Sequence, residues 1–306
     1  MITSSKSSER PVVYVGMGGW DLPPFDGRFY PARQAKDFRK LEFYSQFFDM
    51  VEVNATFYNT SLSARQSKRW LIDVASNEQF IFTVKLFRGF THTFDATLRD
   101  VTAVLRMLEP LAADSKLGGV VIQFPYSFTR TSERQEYLQK LSRTFGEHTL
   151  FLELRNNSWN KSDLTSFFQE QNFHLVNVDL PKIKQHMPFR KSAWDGFAYF
   201  RMMGRNARTW DRKGEGERYD YFYSAQELSD ITKRIESILK VAHTRFAVFH
   251  NDPKANSVVN GLQLRYRLQN DQRVIVPATT LQAFPLLEAI SMPGERVEPE
   301  LFRPPR

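Results

Sequence analysis

The chain has 306 residues, of which 42% are hydrophobic and 25% charged, a composition typical of a soluble globular protein that excludes a largely disordered chain. It contains no cysteine, which excludes a disulfide framework, a thiolate metal site and a cysteine nucleophile and suits a cytoplasmic protein. The 42 Lys and Arg residues against 34 Asp and Glu give this basic protein a net charge of +8, which favours anionic partners, and no apolar run is long enough to span a membrane.

In chain order, a serine-rich tail is predicted over residues 1–10 and a single domain over residues 11–292. Near-continuous apolar runs predict buried parallel strands at 12–20, 50–58, 80–87, 117–125, 149–155, 173–180, 197–204 and 244–251. Amphipathic patterns predict helices at 37–48, 63–74, 98–113, 132–145, 162–171, 224–241 and 258–268, with capping-box spacing from Ser224 to Glu227. Residues 293–306 contain four prolines and are predicted to form an extended tail.

Eight strands separated by helices predict an α/β fold, namely a closed (β/α)8 barrel of the TIM type, because closure buries every strand edge. A doubly wound open sheet is the alternative. Between strands 6 and 7 we expect an irregular connection, since Pro181 and Pro188 would interrupt a helix.

Polar residues interrupt the apolar runs where the predicted strands end, which is where barrel enzymes carry their catalytic groups. A buried charge is costly unless it is paired or faces a wet cavity. A ligand site and a structural layer of salt bridges therefore both stay open. These strand-end residues are Glu52, Asn54, Lys85, Gln123, Glu153, Arg155, Asp179, Arg201, His250, Asn251 and Asp252.

Glu52 and Glu153 would approach each other across the mouth if both face inward. Such paired carboxylates suit glycoside hydrolysis, although nearby arginines favour neutralising both acids over keeping one protonated. Lys85 allows two roles. A desolvated amine could form a Schiff base with a carbonyl substrate, whereas a charged ammonium could bind a phosphate or carboxylate and needs less tuning.

A metal site would draw on Glu52, Glu153, Asp179 and His250, whose oxygen and imidazole groups suit Mg²⁺, Mn²⁺ or Zn²⁺. No spacing signature supports it, so no metal ligand is assigned. The glycines of 16–20 lack the full dinucleotide-binding spacing. The cofactor requirement therefore stays unknown, as does the oligomeric state.

Segment 182–218 is basic, with ten Lys or Arg against four Asp or Glu and with Trp194, Tyr199 and Trp210 interleaved. Cations beside aromatic rings could bind a nucleic-acid backbone and stack on its bases. A nucleic-acid-binding module or a metal-dependent phosphodiesterase that uses this segment, for instance through Arg208 and Arg212, is therefore an alternative function. A solvated basic loop is the ordinary interpretation.

Many of these residues also form motifs that resemble the YecE-like family, domain of unknown function 72. The motifs are Gly16–Trp20, Phe29-Tyr-Pro31, Glu52–Tyr58, Phe82–Lys85 with Thr91-His92, Gln123-Phe-Pro125, Glu153-Leu-Arg155 with Ser158-Trp159, Asp179, Arg201 with Gly204-Arg205, and Asn251 with Asn260. The resemblance covers about residues 12–268 and implies a TIM-type barrel with these motifs at its strand ends. It implies no particular activity.

The chain departs from the family pattern at three places. Asn156-Asn157 replaces a usual His-Pro, Met203 replaces a usual His, and His250-Asn251 replaces a usual Asn-Asn pair. The change at Met203 removes a possible proton carrier, for which His250 could substitute.

Together these observations predict an enzyme acting on a small phosphorylated or carboxylated molecule by acid–base chemistry, with Glu52, Lys85 and Glu153 as catalytic residues. A non-catalytic structural barrel is a further alternative. The residues expected to bind the substrate are Asn54, Tyr58, Gln123, Arg155, Trp159, Asp179, Arg201, Arg205 and Asn251.

Overall fold

The apolar runs form eight parallel strands, each paired with its neighbour in chain order, and β8 pairs with β1 to close a barrel. The computed structural model describes residues 12–61, 63–183, 185–210, 218–238 and 241–292. The closed barrel is confirmed and the open-sheet alternative is wrong, while the predicted tails lie outside the described residues. The strands are β1 Val12–Met17, β2 Met50–Val53, β3 Ile81–Lys85, β4 Leu117–Gln123, β5 Leu150–Glu153, β6 Phe173–Asp179, β7 Gly196–Met202 and β8 Ala242–Phe249.

Helices connect most of the strands and cover the outside of the barrel. None of those in the described ranges has both the length and the apolar character needed to cross a bilayer. They are α1 Lys40–Ser45, α2 Ala55–Tyr58, α3 Ala64–Asp73, α4 Leu98–Ala113, α5 Ser132–Phe145, α6 Leu164–Glu170, α7 Ala225–Glu236, α8 Asn256–Leu268 and α9 Ala278–Ala283.

Capping residues explain where several helices begin. The predicted capping box of α7 is present, with Ser224 N donating to Glu227 Oε2 at 2.9 Å. A second capping box, which was not predicted, joins Thr97 and Asp100 at the start of α4. Such caps satisfy backbone N–H groups that have no partner within the helix.

The largest difference from the predicted elements is at β2. The predicted strand 50–58 is a strand only to Val53, and residues Ala55–Tyr58 turn into the short helix α2. A continuous apolar run does not distinguish a buried strand from a buried helical turn, so the pattern could not place this boundary.

The connection between β6 and β7 is irregular, as predicted, and contains no helix in its described residues. A side chain of β6 holds it instead. Asn177 Nδ2 donates to Ser192 O at 2.9 Å, and Asn177 Oδ1 accepts from Ser192 N at 2.7 Å.

Strand alternation divides the core into two parts. Outward-facing side chains pack against the helices, whereas inward-facing ones fill the barrel. The inner part is apolar towards the N-terminal ends of the strands, where Tyr14 stacks on Phe246 with ring centroids 5.6 Å apart. The polar inward-facing residues described below therefore occupy its C-terminal end.

Candidate active site at the barrel mouth

Inward-facing positions at the C-terminal strand ends bring seven of the predicted site residues to one rim of the barrel. On each strand the relevant residues are two apart, so they share a face, as Glu153 and Arg155 do on β5 and beyond its end. The residues that meet here are Glu52, Asn54, Lys85, Gln123, Glu153, Arg155 and Arg201.

The centre of this group is Arg201 on β7. Its guanidinium binds both acids, with Nη2 donating to Glu52 Oε1 at 2.8 Å and Nη1 donating to Glu153 Oε2. Arg155 Nε donates to the other oxygen of Glu153 at 2.7 Å. The side chains of Glu52, Glu153 and Arg201 are at most 1% exposed, so the two ion pairs of Arg201 are fully buried.

Two hydroxyl groups, those of Tyr199 and Thr83, extend the hydrogen-bond network of these ion pairs. Tyr199 OH donates to Glu52 Oε2 at 2.9 Å, and Thr83 Oγ1 lies 2.8 Å from the Tyr199 oxygen. Because the Tyr199 proton is given to Glu52, the Thr83 hydroxyl is the donor in the second bond. All four carboxylate oxygens of Glu52 and Glu153 therefore have a donor.

Both carboxyl groups are held in the ionised form. Burial alone would raise the pKa of Glu153, but Arg201 and Arg155 outweigh burial and lower it to about 2. Burial opposes ionisation of Glu52 in the same way, yet Arg201 and His250 hold its pKa well below the usual range. Glycoside hydrolysis needs one protonated carboxylic acid, so this geometry does not support it.

Lys85 differs from the other charged groups of the site. Its Nζ lies 4.0 Å from the centroid of the Phe57 ring and makes no hydrogen bond or ion pair with the described residues. Burial, together with repulsion from Arg201, lowers the pKa of Lys85 to about 7, against the pull of Glu52 and Glu153. The amine is therefore close to half neutral at physiological pH.

A cavity of about 530 Å³ opens above these residues. Five cationic side chains contribute to its wall, and Asp252 is the one carboxylate among the lining residues that the structure describes. This imbalance favours an anionic ligand. The lining residues are Gly18, Leu22, Asn54, Phe57, Tyr58, Lys85, Arg88, His92, Gln123, Arg155, Arg201, Met203, Arg218, Tyr219, His250 and Asp252.

Gly18 allows two polar side chains to come together at one edge of the cavity. A Cβ atom at this position would overlap the His250 ring and lie 2.9 Å from Asn54 Nδ2. Asn54 Nδ2 donates to Gly18 O at 2.7 Å, while its Oδ1 is buried without a hydrogen-bond partner in the described ranges. The amide oxygen of Asn54 is therefore an unsatisfied acceptor at this edge of the cavity.

Three titratable residues of the cavity wall were given no catalytic or substrate-binding role from the sequence, although His250 and Asp252 were among the strand-end residues. Burial and the nearby cations lower the pKa of His92 and of His250 to about 4, so both rings are neutral. His250 Nε2 accepts a hydrogen bond from Arg201 Nε at 3.1 Å, which leaves its proton on Nδ1. Burial raises the pKa of Asp252 to about 7. Their positions just after β3 and β8 were the available signal.

Trp159 and Asp179 do not lie in this cavity. Trp159 is buried in the core and donates from Nε1 to Phe128 O at 2.7 Å. Asp179 is one residue out of phase with the inward-facing residues of β6, and its Oδ2 accepts from Arg205 Nε and from Tyr223 OH, both at 2.8 Å. Their geometry gives them structural contacts in place of the substrate contacts expected from the sequence.

Arg205 and Asn251 also lie outside the cavity. Arg205 pairs with Glu227 at 2.9 Å as well as with Asp179, and both Arg205 and Asp179 line a separate cavity of about 660 Å³ beneath the β6–β7 connection. Asn251 Nδ2 donates to Tyr221 O at 2.8 Å and to Asn260 Oδ1 at 2.9 Å. These bonds fix the segment that follows β7.

The basic segment 182–218 does not present the aromatic rings expected of a nucleic-acid site. Trp194, Tyr199 and Trp210 are all at least 93% buried, so none is available to stack on a base. Arg208 is exposed, whereas Arg212 lies outside the described residues. The cations remain, but the interleaved-aromatic argument is wrong because the rings belong to the core.

The residues weighed for a metal site do not form a metal-binding cluster, although His250 Nε2 lies 3.4 Å from Glu52 Oε1. Arg201 lies between Glu52 and Glu153, and Asp179 faces outward from the barrel. No group of three His, Asp or Glu residues in the part of the chain that is described could hold an ion.

Two of the departures from the family pattern have visible effects. Met203 is buried and contributes a thioether to the cavity wall where a histidine would titrate. Asn156 bonds to its own loop, with Nδ2 donating to Tyr126 O at 3.0 Å. The neutral imidazole of His250 remains in the cavity.

Comparisons with known proteins agree with the fold and the motifs. A sequence profile described as "Protein of unknown function DUF72" matches residues 14–283. UPF0759 protein YunF of Bacillus subtilis (strain 168) is 28% identical over 283 residues, which cover 87% of this chain and 98% of YunF. A solved DUF72 family protein from Thermotoga maritima MSB8 is 30% identical, with a TM-score of 0.75, and covers 84% of this chain and 99% of its own. Another from Enterococcus faecalis V583 is 25% identical, with a TM-score of 0.74 and shares of 84% and 96%. The resemblance seen in the sequence is confirmed, and the chain belongs to the DUF72 family.

Proposed function

We propose that this protein is an enzyme that binds a small phosphorylated or carboxylated molecule in the mouth cavity and acts on it by acid–base chemistry, with Lys85 as the group that exchanges the proton. The observation that carries this proposal is the amine of Lys85, which faces a cavity lined by cations and has no carboxylate partner among the described residues. A group with a pKa near 7 can both take up and return a proton at physiological pH.

Arg155 is suited to hold the anion. It uses Nε for Glu153, and its two terminal amino groups make no hydrogen bond with the residues that the structure describes. A guanidinium edge and an ammonium group in one cavity can bind a carboxylate or a phosphate through charge-assisted hydrogen bonds. Arg88 adds an exposed cation at the rim.

Glu52 and Glu153 have a different part in this proposal from the one expected from the sequence. Their low pKa values and fully occupied oxygens make them weak bases. Instead they position Arg201, whose charge lowers the pKa of Lys85. We therefore assign proton exchange to Lys85 and a positioning role to the two carboxylates.

Thermal and chemical unfolding with a panel of phosphorylated metabolites and sugar acids tests the proposal. A ligand present at 100 times its Kd is expected to add about 2.7 kcal/mol to the free energy of unfolding. Lys85→Met and Arg155→Met should lose this stabilisation. Lys140→Met, which removes the same charge from an exposed position on α5, should keep it.

Two outcomes would contradict the proposal. One is a panel in which no anion stabilises the parent protein. The other is a stabilising anion that Lys85→Met and Arg155→Met bind as tightly as the parent, which would place the site elsewhere.

A further inference from the structure

The surroundings of Lys85 suit a nucleophilic amine as well as a proton carrier. In most buried sites a lysine has a carboxylate partner that keeps it protonated. Here both nearby carboxylates are bound by arginines, and the apolar face of Phe57 lies against Nζ. The lone pair of the nitrogen is therefore available inside a cavity whose charged lining residues are mainly cations.

We propose that the substrate is a small aldehyde or ketone that carries a carboxylate or phosphate group, and that Lys85 Nζ forms an imine with its carbonyl carbon. This inference rests on the anion-binding function proposed above and names the class of molecule bound. The guanidinium of Arg155 holds the anionic group, which places the neighbouring carbonyl beside Nζ.

The reaction balances without any further reagent. The Nζ lone pair attacks the carbonyl carbon, the C=O π electrons move to oxygen, and one proton passes from nitrogen to that oxygen to give a carbinolamine. The hydroxyl group then takes a second proton and leaves as water while nitrogen forms the C=N bond. One amine and one carbonyl give one imine and one water, and nothing is oxidised or reduced.

The cavity wall contains groups that can carry these protons. Asp252 lines the cavity, and burial keeps it protonated up to about pH 7. The neutral ring of His92 can accept a proton, and the Nδ1–H of His250 can donate one. A protonated acid and a neutral imidazole thus line the same cavity as Lys85.

Borohydride trapping tests the imine directly. The full-length protein is incubated with pyruvate, glyoxylate or dihydroxyacetone phosphate, reduced with sodium borohydride, and analysed by intact mass and peptide mapping. One reduced adduct per chain, on Lys85, is expected. An exposed lysine is about 0.1% neutral near pH 7.5, whereas an amine with a pKa of about 7 is at least half neutral, so labelling of Lys85 should exceed that of surface lysines by roughly 500-fold.

Matched variants and ligands make the test decisive. Lys85→Arg keeps the positive charge but cannot form an imine, so it should lose the adduct, whereas Lys140→Met should keep it. Adducts spread over surface lysines, or unchanged in Lys85→Arg, would overturn the proposal.

Lactate and glycerol 3-phosphate carry the same anionic groups without the aldehyde or ketone carbonyl. If they stabilise the protein and no adduct forms, the imine is wrong and the anion site stands. If neither stabilisation nor an adduct is seen, both proposals fall.

Discussion

The guanidinium of Arg201 is the shared counter-ion of two buried carboxylates. Glu52 comes from β2 and Glu153 from β5, and both are fully buried beside its guanidinium. With Arg155 included, two positive and two negative charges cancel within the barrel. A group of this kind adds little net stability when intact, but removal of one partner leaves a buried charge without compensation.

We expect Arg201→Met to lower the free energy of unfolding by about 3–5 kcal/mol near neutral pH. Without the guanidinium, burial would raise the pKa of Glu52 above its value in the unfolded chain, whereas Glu153 would keep its ion pair with Arg155. A carboxyl group with a raised pKa stabilises the fold below the unfolded pKa and loses that contribution as the pH rises. Urea denaturation should therefore show a smaller deficit at about pH 5 than at about pH 8. A triple variant that adds Glu52→Gln and Glu153→Gln to Arg201→Met should lose this pH dependence. A deficit that still differs between the two pH values would show that other groups cause it.

Lys85 is expected to lower the free energy of unfolding of the protein. Its pKa falls from 10.5 to about 7 on folding, so the unfolded chain binds the proton more tightly. The cost is complete below about pH 7 and disappears as the pH rises towards 10.5. Lys85→Met should raise the free energy of unfolding by about 1–3 kcal/mol at about pH 6 and by less at about pH 9. Denaturation of this variant beside Lys140→Met checks it. A loss of stability at both pH values would show that the amine has a stabilising partner.

The sequence predicted which residues end the strands but not all of their directions. A period of two correctly grouped Glu52 with Asn54 and Glu153 with Arg155 on inward faces. The same rule could not give the direction of Asp179. It requires knowing which residues of β6 face into the barrel, and a run that is apolar on both faces does not reveal this. The shared contact of both acids with Arg201 depends on barrel closure and has no local signal.

At the scale of elements, α8 holds the segment that carries the far wall of the cavity. Asn260 Oδ1 accepts from Tyr223 N at 3.0 Å, and its Nδ2 donates to Tyr223 O at 3.1 Å. The same oxygen accepts from Asn251 at the end of β8. One amide thus connects α8, β8 and the chain beyond Tyr219, which lines the cavity.

Asn260→Ala should lower the free energy of unfolding by about 1–3 kcal/mol, because it leaves buried backbone groups of Tyr223 without partners. It should also weaken anion binding, since Tyr219 and Arg218 lose their anchored connection to α8. Gln263→Ala is the matched control, because it removes only the 3.0 Å bond between Asn260 Nδ2 and Gln263 Oε1. Equal effects of the two variants on unfolding and binding would contradict this role for Asn260.

Elements with clear caps were the most predictable. The predicted bounds of α4 and α5 agree with the structure. The side chain of each N-cap residue, Thr97 or Thr131, accepts a hydrogen bond from the backbone N–H of the third helical residue. Helix α6 begins at Leu164, two residues later than predicted, after the N-cap residue Asp163. Helices α2 and α9 were missed because they have only four and six residues, too few to show a helical period.

For the molecule as a whole, we expect stability to fall as the pH drops from 7 to about 4. His92 and His250 are neutral in the fold with pKa values of about 4, so each contributes stability above its unfolded pKa of 6.5 that is lost towards pH 4. Because burial raises the pKa of Asp252, its contribution to stability increases as the pH falls over the same range and offsets the loss from one of the two histidines. Below about pH 4.5 protonation of Glu153 adds a further loss, which is complete only below pH 2.

Urea denaturation midpoints between about pH 7 and pH 3 check this expectation. His92→Gln should flatten the curve between about pH 6.5 and pH 4 while leaving the steeper loss at lower pH. A parent curve that stays level down to about pH 4.5 would show that the imidazoles are protonated in the fold.

The order of Glu52, Glu153 and Arg201 along the chain has a consequence for biosynthesis. A ribosome releases both acids well before it releases the strand that carries their shared cation. A nascent chain of six strands would bring two carboxylates together with no guanidinium between them, and like charges in a desolvated space repel each other. Glu153 can pair with Arg155 at this stage, but Glu52 cannot be enclosed as an anion until β7 arrives. A truncation that stops before residue 196 should therefore remain an open intermediate and a substrate for chaperones and proteases.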